Sequence, residues 1–177
     1  MVKDQPFPAL WLLSDARNDA VLEDALERLP RGSGFVFRHY HLAPENRFAR
    51  YRALLRLARN RQHLVILSDS VQTAREWRAD GAYGSPNSLL PAADMLRIAT
   101  AHDLREIGQA NRVRADAVML SPAYPTRSHS SAPSLGPTRF RTLAAHAQMP
   151  VIALGGMTQE RADRLGWPYW AAIDGLS

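Results

Sequence analysis

Polar residues able to do chemistry stand in this chain directly behind short apolar runs. In order they read Ser14-Asp15, Arg38-His39, Ser68-Asp69, Tyr83-Gly84, Thr100 to His102, Ser121 onward, Gly155-Gly156 and Asp174-Gly175. Asp15, Asp69 and Ser121 are each good cap or turn residues on their own. Their recurrence behind run after run is harder to assign to caps alone. The segment "ALGGMT", Ala153 to Thr158, adds two glycines before a helix start. Glycines let backbone approach a ligand, and first-turn amides favour an anion. A Gly-Gly turn that only connects two elements reads the same way.

Four histidines, at three places in the chain, carry different chemistry. His39 and His41 are spaced to share one side of a strand. Such a pair can hold a metal, but no third ligand is evident in the sequence and a structural role is the simpler reading. His102 starts a helix directly behind a strand, where an acid or base could stand, and a polar helix-start residue would look alike. His129 lies in "SPAYPTRSHSSAPSLGP", Ser121 to Pro137, a long polar loop with four prolines. At a strand's end this loop is a candidate lid and anion grip, with Thr126, Arg127 and Ser128 nearest a phosphate.

The elements that must position these groups follow from apolar runs and helical periodicity. Strands are expected at Leu10–Leu13, Gly34–Arg38, Leu64–Leu67, Ala82–Tyr83, Leu96–Ala99, Ala117–Leu120, Val151–Leu154 and Trp170–Ile173. Helices are expected at Ala20–Leu29, Pro44–Arg59, Val71–Arg78, His102–Arg112, Pro137–Ala147 and Gln159–Leu165. Alternation of continuous apolar strands with helices implies a parallel sheet, and eight strands favour one TIM (β/α)8 barrel domain over residues 1–177. Such barrels usually need about 200 residues or more. Two economies reconcile the length: "GSPNSLLPAADM", Gly84 to Met95, is too proline-rich for a full helix, and little chain follows the last strand. The barrel is therefore expected to be compact and to lack its last helix. Bare barrel wall would then call for a partner subunit, so a homodimer is expected.

Composition narrows the classes. There is no cysteine, which excludes disulfides and thiolate chemistry, and Lys3 is the only lysine, which argues against Schiff-base catalysis. No apolar run approaches the roughly 18 residues of a membrane helix, and the first residues lack a signal-peptide pattern. A cytoplasmic location is the expectation. The net charge of +5 is carried almost wholly by arginine. Its densest cluster, Arg47, Arg50, Arg52, Arg56, Arg59 and Arg61, reads as the solvated face of an amphipathic helix. No aromatic platform or recognised motif accompanies it, so nucleic acid is not an expected partner.

Four segments in order resemble the thiamine phosphate synthase superfamily, which includes the thiazole tautomerases: "LWLLSDARND", "FVFRHYHL", "ADAVMLSPAYPTRSHSSAPSLGP" and "PVIALGGMT". Weaker matches are "LVILSDSVQTA", "ADGAYGSPNSL" and "IATAHD". The resemblance implies a TIM barrel that joins hydroxymethylpyrimidine diphosphate to a thiazole phosphate, with Mg²⁺ and loss of pyrophosphate. It implies that Arg38 binds diphosphate, that Asp69 is one magnesium carboxylate, and that Thr126 and Ser128, with Arg127 between them, touch phosphate. It further implies that Gly155 and Gly156 cradle the thiazole phosphate, that Thr100 takes a usual serine position, and that His102 falls close to the tautomerases' proton-transfer histidine.

This chain departs from that pattern. Tyr40 or His41 stands where the synthases carry a lysine, and the second magnesium carboxylate is replaced by Asn87 and Ser88. A loop lysine is absent, and Asp174 brings a carboxylate toward the expected phosphate. The losses fall on the diphosphate side. Three readings result: an Mg²⁺-dependent synthase; a metal-independent thiazole tautomerase using His102 as acid–base and Arg38 on the substrate carboxylate; and a non-catalytic thiamine-phosphate-binding protein.

Overall fold

In the computed structural model, residues 6–126 and 133–176 are described. Every second residue of each apolar run faces inward, and this alternation closes the strands into a barrel. Eight parallel strands pair in chain order: β1 (Leu10–Leu13), β2 (Gly34–Phe37), β3 (Leu64–Leu67), β4 (Gly81–Gly84), β5 (Leu96–Ala101), β6 (Ala117–Leu120), β7 (Val151–Ala153) and β8 (Trp170–Ala172). β8 returns to β1 with Leu10 opposite Trp170, which seals the ring. The helices between them are α1 (Leu22–Arg28), α2 (Pro44–Asn60), α3 (Val71–Glu76), α4 (Leu104–Arg112), α5 (Gly136–Ala144) and α6 (Gln159–Leu165).

Two apolar clusters separate inside from outside. Trp11, Val36, Ile66, Ile98, Met119 and Ile152 fill the barrel interior, whereas Leu12, Phe35, Phe37, Leu67, Val118 and Leu120 join the layer under the helices. The interior leaves no space for a side chain at Gly34: a Cβ there would meet the Trp11 ring at 2.0 Å. Phe7 packs on both Trp11 and Tyr169, with ring centroids 5.4 Å apart in each case, and these rings close the end of the barrel where the strands begin. Ligand space therefore lies at the opposite rim.

Helix starts at that rim use the expected chemistry. The hydroxyls of Ser70 and Thr158 and the carboxylate of Asp103 accept the amides of Thr73, Arg161 and Glu106, and so cap α3, α6 and α4. α4 thus begins at Leu104, and His102 stands in the turn before its cap. β5 runs two residues beyond the expected end, to Ala101.

The expected economy between β4 and β5 is present. A short 3₁₀ turn, Pro86–Ser88, replaces a helix between β4 and β5, and another, Asp174–Leu176, follows β8. Leu89 and Met95 are buried and join the outer apolar layer. Trp170 and Ala172 of β8 are buried as well.

Candidate active site

A cavity of about 280 Å³ opens at the C-terminal rim of the barrel. Arg38, Thr100, His102, Thr126, Gly155 and Gly156, each expected from the sequence, all line it. They come from the end of β5 and from the turns after β2, β5, β6 and β7, so closure of the barrel brings together residues up to 118 positions apart. Arg127 and Ser128 lie outside the described residues. The cavity walls also include Tyr40, Tyr83, Ser121, Met157, Asp174 and Gly175.

The β7 side of the cavity is built from backbone. Gly155 and Gly156 have φ of +92° and +62°, in the left-handed region that side chains disfavour. Their second constraint comes from the loop after β6, which crosses them. A Cβ on Gly155 would stand 2.7 Å from the Pro122 Cα, and one on Gly156 would stand 2.3 Å from the Pro125 carbonyl oxygen. The loop is pinned there by amides of Ala123 and Tyr124 that donate to the carbonyls of Leu154 and Gly155, at 2.8 and 3.0 Å. The far end of the loop is tied too, because Leu135 and Gly136 donate to the carbonyls of Pro122 and Ala123. Gly175 completes this side, with the Met157 carbonyl oxygen 2.3 Å from where its Cβ would be.

The opposite arc is built from side chains. The Arg38 guanidinium lies 5.5 Å from the centre of the Tyr40 ring, and the Tyr40 hydroxyl bonds to the Ser68 hydroxyl. Tyr83 faces inward from β4, and burial pushes its phenol up to about 12, so it stays protonated at neutral pH. Arg47 and Arg50 do not lie on a solvated face, contrary to the sequence expectation for their cluster. They share the side of α2 that buries Tyr51, Leu54 and Ala58, and both reach back over the rim. Arg47 donates to the carbonyls of Arg38 and Ser68 at 3.0 and 2.9 Å, and to Asp69 at 2.8 Å. Arg50 pairs with Asp19 at 2.8 Å and with Glu23.

This arrangement determines what Asp69 can do. One carboxylate oxygen takes Arg47 and the other takes the Ser70 amide at 2.8 Å. Burial pushes its carboxyl upward, but these bonds prevail and hold it below the usual aspartate value. The turn after β4 carries Asn87 and Ser88 in place of an acid, and the Ser85 and Ser88 hydroxyls bond to each other. Asp69 does not line the cavity. Among the described residues, this side does not assemble a magnesium site, and Arg47 provides the positive charge beside Asp69.

Asp174 does line the cavity. Arg17, unremarked in the sequence, donates to it at 3.2 Å and to Asp15 at 2.8 Å, which offsets the carboxylate's repulsion of an anion. On the β5 turn, His102 Nδ1 lies 2.8 Å from a Glu106 oxygen that also accepts the His102 amide. Glu106 thus orients the imidazole as a carboxylate orients an acid–base histidine.

His39 and His41 depart most from expectation. β2 ends at Phe37, and His39 turns out of the strand at φ +41°. Its ring stacks on Phe37 at 4.7 Å and is buried, while His41 is exposed and its ring centroid lies 5.0 Å away. A third donor, Asp19, stands with them. It comes from before α1, and no spacing in the sequence links it to β2.

The thiamine monophosphate synthase family model matches residues 10–167. A thiamine-phosphate synthase of Methanobrevibacter smithii is 28% identical over 120 residues, 64% of this chain and 56% of that protein. A putative thiamine-phosphate synthase 2 of Aquifex aeolicus is 25% identical over 164 residues, 87% of this chain and 88% of that protein. Thiamine phosphate pyrophosphorylase from Pyrococcus furiosus superposes with a TM-score of 0.76 over 93% of this chain and 85% of that one, at 22% identity, a likeness of fold. Because that family model spans most of the chain, from β1 to beyond α6, the chain belongs to the thiamine monophosphate synthase family.

Proposed function

We propose that the chain joins hydroxymethylpyrimidine diphosphate to thiazole phosphate and releases pyrophosphate. The observation that carries this reading is the convergence of Arg38, Thr100, Thr126, Gly155 and Gly156 on one cavity in a chain of this family. The thiazole phosphate lies against the β7–β8 side, where glycine backbone and the Thr126 hydroxyl meet it. The diphosphate lies toward Arg38. The bond between the pyrimidine methylene and the leaving oxygen breaks, and its electron pair departs with pyrophosphate. The thiazole nitrogen's lone pair then forms the new carbon–nitrogen bond. Arg38 offsets charge growing on the leaving group, and Tyr40 and Tyr83 offer aromatic walls that tolerate a cationic pyrimidine.

The family resemblance implies Mg²⁺ for this reaction. The residues around Asp69 do not suit it, so no step is assigned to a metal there. Incubation with both substrates, with and without Mg²⁺, tests the reading. Pyrophosphate release that disappears in Arg38→Gln supports it, and no release under either condition overturns it.

A second reading is favoured by the His102–Glu106 pair beside Thr100. Here the chain is a metal-independent isomerase of a thiazole carboxylate phosphate. His102 moves the proton and Arg38 holds the carboxylate. Solvent deuterium entering the thiazole carboxylate, lost in His102→Ala, would favour it over the synthase. Binding of thiamine phosphate with neither reaction would leave the non-catalytic reading.

A further inference from the structure

We propose that Asp19, His39 and His41 bind a divalent transition ion of the Zn²⁺ type, at a site separate from the phosphate cavity. Two imidazoles and one carboxylate form a donor set suited to zinc or cobalt, whereas magnesium prefers oxygen alone. One ligand atom from each residue lies within 4.8 Å of the others. Metal–nitrogen bonds of about 2.0–2.1 Å at a tetrahedral angle place two imidazole centroids about 5.2 Å apart. The rings of His39 and His41 are 5.0 Å apart and tilted by 42°. The same bonds bring ligand atoms to about 3.3 Å from one another, a closure the exposed His41 can supply by side-chain rotation.

His39 is held in place before any ion arrives. It is 1% exposed, its φ is +41°, and its ring lies nearly parallel to Phe37 at 11°. Ser14 Oγ accepts the Arg38 amide at 2.8 Å and stands 2.8 Å from His39 Nδ1, so its hydroxyl donates to that nitrogen. His39 Nε2–H then donates to Asp19 Oδ1 at 2.8 Å. A bound ion displaces that proton and takes the Nε2 lone pair. The imidazole changes tautomer so that Nδ1–H donates to Ser14, the supporting bond that metal-bound histidines usually make.

The charges around the site permit a cation. Arg50 touches Asp19, and Glu23 shares that arginine. Asp19 and Glu23 against Arg50 leave one net negative charge. Arg38 and Asp15 border a cavity of about 170 Å³ that His39 and His41 also line, with room for water to complete the coordination. Three protein ligands and an open position are the arrangement of zinc sites that exchange water or a small ligand.

Titration of the metal-free full chain with Zn²⁺ by calorimetry, and with Co²⁺ by visible absorption, tests the site. One ion per chain is expected, with low-symmetry Co²⁺ bands that Zn²⁺ displaces. His41→Ala, at an exposed position, should weaken binding at least tenfold, whereas His146→Ala, exposed elsewhere, should leave it unchanged. Absence of stoichiometric uptake would overturn the site, as would uptake that His41→Ala leaves intact or that both variants weaken equally. The readout is binding alone, so failure of the synthase reading would not affect it.

Discussion

Around a single cavity, the turns after β7 and β8 meet the ligand space with backbone at Gly155, Gly156 and Gly175, whereas the turn after β2 meets it with the Arg38 and Tyr40 side chains, braced from α2 by Arg47. Among its cavity-lining residues the first arc has one carboxylate, Asp174, whose charge Arg17 offsets, and behind it Arg161 donates to the Gly156 carbonyl. The second is a mesh of arginine and carboxylate: Arg47 with Asp69, and Arg50 with Asp19 and Glu23. A backbone arc can bind an anion without changing charge. A side-chain arc can be retuned by a few substitutions. An arginine-bound aspartate at Asp69 sits on that arc without touching the barrel interior or the glycine turn.

Four experiments would break or sharpen this contrast. The largest effect is expected for Gly156→Ala. The new Cβ would combine a φ of +62° with a 2.3 Å approach to the Pro125 carbonyl, so the loop after β6 must shift. Thiazole phosphate affinity, read by calorimetry, should fall at least tenfold. Stability should fall by about 1–3 kcal/mol. Unchanged affinity would show that the backbone arc does not hold the phosphate.

Arg38→Gln comes next. Loss of a charged hydrogen bond costs about 1.5–3 kcal/mol, so kcat/KM for the diphosphate substrate should drop roughly 10- to 100-fold. Thiazole phosphate affinity should change less than threefold. An equal loss on both substrates would erase the division into two arcs.

Arg47→Met should act on stability and on the second arc alone. It removes the donor to two carbonyls and leaves Asp69 partly buried without its guanidinium. A loss of about 1–2 kcal/mol is expected from chemical denaturation, because partial exposure of Asp69 discounts the ion pair. Thiazole phosphate binding should persist.

The smallest effect concerns pH. In Asp15, Asp19 and Asp69 burial raises the carboxyl pKa, but bonds from Arg17, His39 with Arg50, and Arg47 respectively outweigh it, and each is held below 3.8. Glu23, bonded by Arg50, is held below 4.5. A depressed folded pKa stabilises above the unfolded value, and that stability is lost as pH falls through the folded one. His39, lowered from 6.5 by burial, likewise favours folding above that pH and loses its contribution as pH falls. The side-chain arc should therefore begin to loosen below about pH 6.5 and loosen further below about 4.5. Asp80 works the other way, since burial raises its pKa and its contribution is lost as pH rises. Hydrogen exchange at pH 7 and at about pH 3 should show amides around Asp15, Asp19 and Asp69 losing protection before those of β7 and β8. Uniform loss would refute the electrostatic contrast.

Local pattern alone determined much of this protein. Apolar runs such as Leu64–Leu67 and Ala117–Leu120 are continuous because strands of a covered parallel barrel are buried on both faces, and their bounds match the structure. Polar residues just behind them had to reach one rim, because parallel strands all end on the same side. Proline in "GSPNSLLPAADM" rightly excluded a helix there, since the ring removes a donor and restricts its neighbour. Tertiary structure decided the rest. Arg47 and Arg50 resemble their exposed neighbours in sequence, and only the packing of α2 against the barrel turned them onto Asp69 and Asp19. Asp19 joined His39 and His41 through closure of β1 against β2, a contact with no periodicity to announce it. Glycines 155 and 156 were legible as a turn, but the loop crossing them, which leaves no space for a Cβ, exists only once β6 and β7 are side by side. Periodicity reports which face a residue turns to the core, whereas ion pairs and close backbone approach depend on which distant segment packs there.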